Sequence, residues 1–140
     1  MIVSVSPVAR TPARCRVLPA PDGSDLHPIF SSDTEEALGP DFAPNGRKVA
    51  VELSGQGFEA IATVGLAHSN VNEIRRFDSP IGAPIFSPNG RRIAFTHAPG
   101  GTSGDSDVYT MRADGSHLRR ITHTPGPKSS GLDDWQPLPR

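Results

Sequence analysis

Asp105 and Asp107, with Asp133 and Asp134 further on, are the acidic pairs in this sequence that could offer oxygen ligands to a hard cation such as calcium. Their spacing is not that of an EF-hand loop, and three converging carboxylates are not evident, so structural roles are favoured over a metal site. Gly100-Gly101-Thr102-Ser103-Gly104 lacks the Gly-Lys-Ser/Thr ending of a phosphate loop and the glycine fingerprint of dinucleotide sites, which leaves it as a loop between strands. No serine stands in a Gly-x-Ser-x-Gly elbow. The five histidines, His27, His68, His97, His117 and His123, show no metal-ligand spacing and are expected at solvated strand ends and turns. The expectation is a chain without catalytic residues, cofactor or metal.

Arginine pairs at 75–76, 91–92 and 119–120 raise the question of a basic recognition stripe. Long cationic side chains at strand edges more often lie over apolar neighbours than bind phosphate. With 14 basic and 15 acidic residues interspersed and a net charge of −1, no global field favours nucleic acid or an acidic membrane. No apolar run is long enough to span a bilayer. Neither a nucleic-acid partner nor membrane insertion is expected.

The elements that carry these residues are repeated. Phe42-Ala-Pro-Asn-Gly-Arg-Lys-Val-Ala-Val51 returns 44 residues later as Phe86-Ser-Pro-Asn-Gly-Arg-Arg-Ile-Ala-Phe95, and Arg75-Arg76-Phe77 returns as Arg119-Arg120-Ile121 at the same offset. Asp22-Gly23-Ser24 before Ile29 matches Asp114-Gly115-Ser116 before Ile121, about two repeats apart. Periods of roughly 40–45 residues build four-stranded propeller blades.

Within each unit a short first strand around Asp41-Phe42 or Ile85-Phe86 is stopped by Pro44 or Pro88, which offer no ladder donor. Asn45-Gly46 and Asn89-Gly90 then read as tight hairpin turns with positive φ. Lys48–Val51 and Arg92–Phe95 are apolar at consecutive positions, as suits a strand covered on both faces by neighbouring sheets. Third and fourth strands follow at Asp107–Met111 and Leu118–Thr122, and in the earlier unit at Ala60–Val64 and Glu73–Phe77. Nothing has a helical period.

Phe-Ser-Pro-Asn-Gly-Arg-Arg-Ile-Ala-Phe, Asp-Val-Tyr-Thr-Met, Ala-Asp-Gly-Ser and Leu-Arg-Arg-Ile-Thr together resemble the WD-like repeat of the TolB-like β-propeller family. Residues 82–122 match it almost throughout. Residues 38–78 match well in their first half, with Glu59-Ala60-Ile61 standing for the Asp-Ile-Tyr element. The resemblance implies that Asp107 starts a strand and accepts backbone hydrogen bonds there, and that Asp114 shapes the Asp-Gly turn. The expected class is all-β, with blades of four antiparallel strands in an open arc of two to three blades, half of a six-bladed propeller. Its parts are a partial N-terminal blade at 1–37, whole blades at 38–80 and 81–124, and at 125–140 the first strand of a further blade, at Leu132–Gln136, with a tail.

Propellers close with about 4–8 blades, so this chain alone cannot complete a ring. Three arrangements answer that: a shortened open arc, two copies forming a homodimeric six-bladed ring through the Trp135 strand, or pairing with a different propeller chain. An open face of about 400 Å² of apolar surface forgoes roughly 10 kcal/mol in water. The resemblance implies a non-catalytic scaffold that presents loops and a channel mouth to a protein or peptide partner. An alternative is the severed regulatory propeller of a prolyl-oligopeptidase-type serine peptidase without its hydrolase domain. A carbohydrate or small-ligand binder is a third class, for which one Trp and one Tyr offer little stacking surface. The early prolines and arginines do not read as a secretory signal, so the chain as written reads as cytoplasmic, although the family is commonly periplasmic. The single Cys15 is compatible with either compartment.

Overall fold

The computed structural model describes residues 3–6, 13–17, 27–101, 105–125 and 130–137, with side chains from residue 28 onward. The described residues contain eleven β-strands and no helix, arranged in three antiparallel sheets taken up in chain order. The first sheet has three strands, β1 (Val3–Ser6), β2 (Ala13–Val17) and β3 (His27–Ser32), paired in that order. The second sheet is β4 (Glu36–Phe42), β5 (Lys48–Gly55), β6 (Phe58–Gly65) and β7 (Val71–Phe77). The third is β8 (Ile85–Phe86), β9 (Arg92–His97), β10 (Asp107–Arg112) and β11 (Arg119–Arg120).

The consecutive apolar runs are buried on both sides. Val49, Ala50 and Val51 are wholly buried, and so are Ile93 and Phe95. Because successive strand residues face opposite ways, the run is sorted between two interfaces. Val49, Val51 and Leu53 join Ala60, Ala62 and Val64 against Ile29 and Phe30 of the first sheet. Ala50 and Ile61 instead face the third sheet, where they meet Phe86, Ile93, Phe95 and Met111. The middle sheet is therefore a shared wall between two cores. The result is an open arc of four-stranded propeller blades.

Backbone contacts set the distance between the second and third sheets. Gly39 has φ +51° and lies so close to Ala83 that an added Cβ would stand 2.2 Å from the alanine Cβ. At the far edge, a Cβ on Gly115 would stand 2.7 Å from the carbonyl oxygen of Ile74. Three polar bonds cross the same interface: Phe86 N–H donates to Asp41 Oδ2 at 2.7 Å, Ile81 N–H to Glu59 Oε2 at 2.6 Å, and Arg75 Nη1 to the Gly115 carbonyl at 3.1 Å.

Three details of the sequence reading change. In both Asn-Gly hairpins only the glycine takes positive φ, +66° at Gly46 and +68° at Gly90. Gly46 N–H donates to the Ala43 carbonyl and Gly90 N–H to that of Ser87, so each loop is built on a four-residue β-turn with proline at its second position. Proline fixes φ near −65°, which a turn requiring two positive values cannot accept. The asparagines serve through their side chains, each Oδ1 accepting the N–H two residues on, from Arg47 at 3.1 Å and Arg91 at 3.0 Å.

Second, Glu59 does not take the place of Asp107. Leu53 pairs with Ala60 and His97 pairs with Asp107, which makes Ala60 the counterpart of Asp107. Glu59 is one residue off and so faces the third sheet. Third, residues 130–137 carry no strand. Leu132 and Trp135 lie instead along the outer side of the third sheet, beside Ala94, Val108 and Ile121.

Gly39→Ala is expected to destabilise the chain by about 3 kcal/mol, whereas Gly46→Ala, equally left-handed but with open space around it, costs about 1 kcal/mol. Urea unfolding of both variants checks this, since equal losses would mean that the approach of the two sheets contributes nothing.

Candidate functional site

Asp107 is 3% exposed at the start of β10. Burial alone would raise its carboxyl, but the bonds it accepts outweigh that and hold it well below the usual carboxylate range. Thr122 Oγ1 donates to Oδ1 at 2.7 Å and Thr124 N–H donates to the same oxygen at 2.9 Å, while Arg120 pairs with Oδ2. Thr122 Oγ1 in turn accepts from Val108 N–H at 2.9 Å. The cluster locks β10 to the segment after β11 and occupies both oxygens with donors. Asp105, Asp133 and Asp134 are exposed and do not converge on it. Among the described residues no group of His, Cys, Asp and Glu side chains could hold a metal ion. Asp114 closes its turn as an Asx motif, its Oδ1 accepting from Ser116 N–H at 2.9 Å and Ser116 Oγ at 2.6 Å.

His97 departs from the solvated placement that the sequence suggested. It is half-buried between sheets, 4.9 Å from the Phe77 ring and 5.1 Å from the Tyr109 ring. Its Nε2 lies 2.9 Å from Ser79 Oγ, a nucleophile-to-base distance. The buried Nδ1 has no partner, so nothing orients the ring as a third group would. Burial lowers the imidazole pKa against the opposing charges of Asp78 and Glu59. His68, His117 and His123 are exposed, and Gly101 of the glycine loop takes φ +92°, while residues 102–104 and the His27 side chain lie outside the described parts.

Among the described residues the arginines divide into partnered and unpartnered ones. Arg76 lies 3.7 Å over the Phe58 ring and pairs with Glu73, and Arg75 lies 6.0 Å over Phe77. Arg120 is paired with Asp107. Arg91, Arg92 and Arg112, by contrast, have no salt bridge among the described residues, and with Asn89 and Asp114 they surround a cavity of about 560 Å³ at the Asn-Gly end of the third sheet. Only the paired arginines could be read as edge residues from sequence. That Arg92 and Arg112 stand opposite one another requires the β9–β10 register.

No family model matches the chain. It is 31% identical over 97 residues to the Tol-Pal system protein TolB of Anaeromyxobacter dehalogenans, covering 69% of this chain and 21% of that protein. It is 26% identical over 101 residues to TolB of Francisella tularensis subsp. mediasiatica, covering 72% of this chain and 23% of the relative. The chain thus spans under a quarter of the length of these curated relatives. Among solved structures, TolB from Acinetobacter baumannii superposes with TM-score 0.69 at 26% identity, over 86% of this chain and 28% of that one. A TolB structure from Agrobacterium tumefaciens gives 0.72 at 18%, over 87% and 42%. An oligogalacturonate lyase at 0.68 and 14% shares the fold alone, over 81% of this chain and 36% of its own. Stacked four-stranded sheets and these superpositions make the chain a β-propeller repeat protein. Within that class it is TolB-like.

Burial, and then the charge of Glu59, raise the carboxyl of the half-buried Glu52 to about 7. A carboxylate raised in the folded state supports folding fully below its unfolded pKa and loses that support as pH climbs through the folded value. Glu52→Gln is therefore expected to stabilise the protein by about 1 kcal/mol above pH 7.5, discounted for the solvent reaching the site, and to be neutral near pH 4.5. Asp107 has the opposite sign. Asp107→Ala should lower the melting temperature most near neutral pH, and less as the pH falls below the carboxylate range.

Proposed function

We propose that this chain is a non-catalytic propeller scaffold that presents its strand-connecting turns and outer sheet face to a protein or peptide partner. The observation that carries the reading is where its polar groups are used. Asp41, Glu59, Arg75 and Asp107 serve blade-to-blade or strand-to-strand bonds, and the Ser79–His97 pair lacks an orienting group among the described residues. A scaffold of this kind binds through what its turns expose and through no constellation of reacting side chains. The curated relatives are named as a protein of the Tol-Pal system, which supports a protein partner. Nothing in the described residues favours the peptidase-gate alternative. No helix among them is long and apolar enough to cross a membrane. A second copy of the chain is a partner this scaffold can take, recognised in light scattering by a species of twice the chain mass.

Two measurements test the reading. A photo-crosslinker placed at Asn70 or His117, both exposed on turns, should yield a discrete protein adduct from cells expressing the chain. Ester and peptide substrates should turn over no faster than in buffer, and turnover that Ser79→Ala abolishes would replace the scaffold reading with a hydrolytic one.

A further inference from the structure

The two complete sheets allow the molecule to be compared with itself. Lys48, Ala50, Ile61 and Thr63 lie on the face of the second sheet that receives the third, and Lys48 Nζ sits 5.7 Å over the Phe86 ring. By ladder register their counterparts in the third sheet are Arg92, Ala94, Val108 and Thr110, since Glu52 pairs with Ile61 and Thr96 with Val108. Alternation places this second set on the outer face, away from the second sheet. The outer face is thus a copy of one that already receives a neighbour.

It differs from its template in charge: Glu52 has Thr96 as its counterpart, and the rim gains a cation. Gly65, opposite Lys48, is replaced by Arg112, opposite Arg92. Like charges directly across a ladder are unfavourable, and neither arginine has a salt bridge among the described residues. The carboxylate at hand on the rim, Asp114, is bonded within its own turn and feels the charge of Arg112 without forming an ion pair with it. Between Arg92 and Ile121, which is 52% exposed, runs an apolar groove of about 430 Å³, with Arg112 beyond its rim on the polar cavity at the Asn-Gly end. Leu132, Asp134 and Trp135 of the chain itself form its other wall. Asp134 also lies near enough to Asp41 to help raise that carboxyl.

We infer that the outer face of the third sheet is a docking face for a partner segment that combines carboxylates with an aromatic side chain, and that residues 130–137 hold the place until such a segment displaces them. The inference rests on the scaffold reading and assigns it a surface. Two cations with planar forks suit carboxylates, and the apolar floor suits a large ring beside them. The chain's own Leu-Asp-Asp-Trp run has this chemistry, and the face that matches it in the second sheet already holds Phe86 beneath a cation.

Trp135 is the only tryptophan in the chain, so Trp135→Ala makes the full-length protein silent in tryptophan fluorescence. The probe is a synthetic peptide, Ser-Gly-Leu-Asp-Asp-Trp-Gln-Pro, added to that variant. Its emission should shift to the blue and saturate, with binding weakened by added salt. Arg112→Glu in the same background should weaken binding about tenfold, as should replacing both peptide aspartates by asparagine, while the charge-matched Arg47→Glu leaves it unchanged. Wild-type chain should take up the peptide poorly because its own segment covers the sheet face beside the groove. Should Trp135→Ala fail to fold, Trp135→Phe is equally silent, and the peptide must then bind it more weakly than a Trp135→Phe/Leu132→Ala double variant. Absence of a shift, or binding indifferent to Arg112, overturns the assignment. If Arg112→Glu leaves the photo-crosslinked adduct intact, the docking face fails and the scaffold stands. If the peptide binds as described but no adduct forms, the face stands and the scaffold role fails.

Discussion

Mutual burial of neighbouring sheets is the constraint on which the rest depends. A four-stranded sheet has two faces and no thickness of its own, so its apolar residues are removed from water only by the sheets beside it. Val49–Val51 shows this within one strand, since two of the three residues belong to one core and the third to the next. Each added sheet both completes one interface and opens another. The alanines at 50, 60 and 62 are part of the same requirement, because larger side chains on the shared wall would push the sheets apart.

Polar chemistry in this molecule serves that stacking. Asp41 and Glu59 accept N–H groups from strand and bridge positions of the next sheet that have no ladder partner there. An unpaired buried donor costs about 1–3 kcal/mol, which accounts for a carboxylate being kept at each site although burial raises Asp41 and repulsion from Glu59 helps raise Glu52. Asp107 solves a different problem, gathering the ragged end of β11, whose ladder is only two residues long, onto β10.

The outer face of the third sheet is the place where the repeat meets no further repeat among the described residues. Its apolar floor retains the pattern of a covered face, while its rim has acquired charge.

The residues themselves determined the repeat, its blade identity and the turn positions, because these are local. The period of 44, Pro-Asn-Gly and the unbroken apolar runs each reflect a constraint felt within a few residues. Asp107 and Asp114 were legible in the same way, as members of strand-start and turn motifs. Which face each side chain takes was decided only by the assembled sheets: a one-residue difference in register sends Glu59 and Ala60 to opposite sides, and no local signal records it. The same holds for His97 wedged between two rings, for Arg92 set against Arg112, and for Trp135 folded over its own sheet in place of starting another. Each depends on which surfaces become neighbours, and that is a property of packing between segments far apart in the chain.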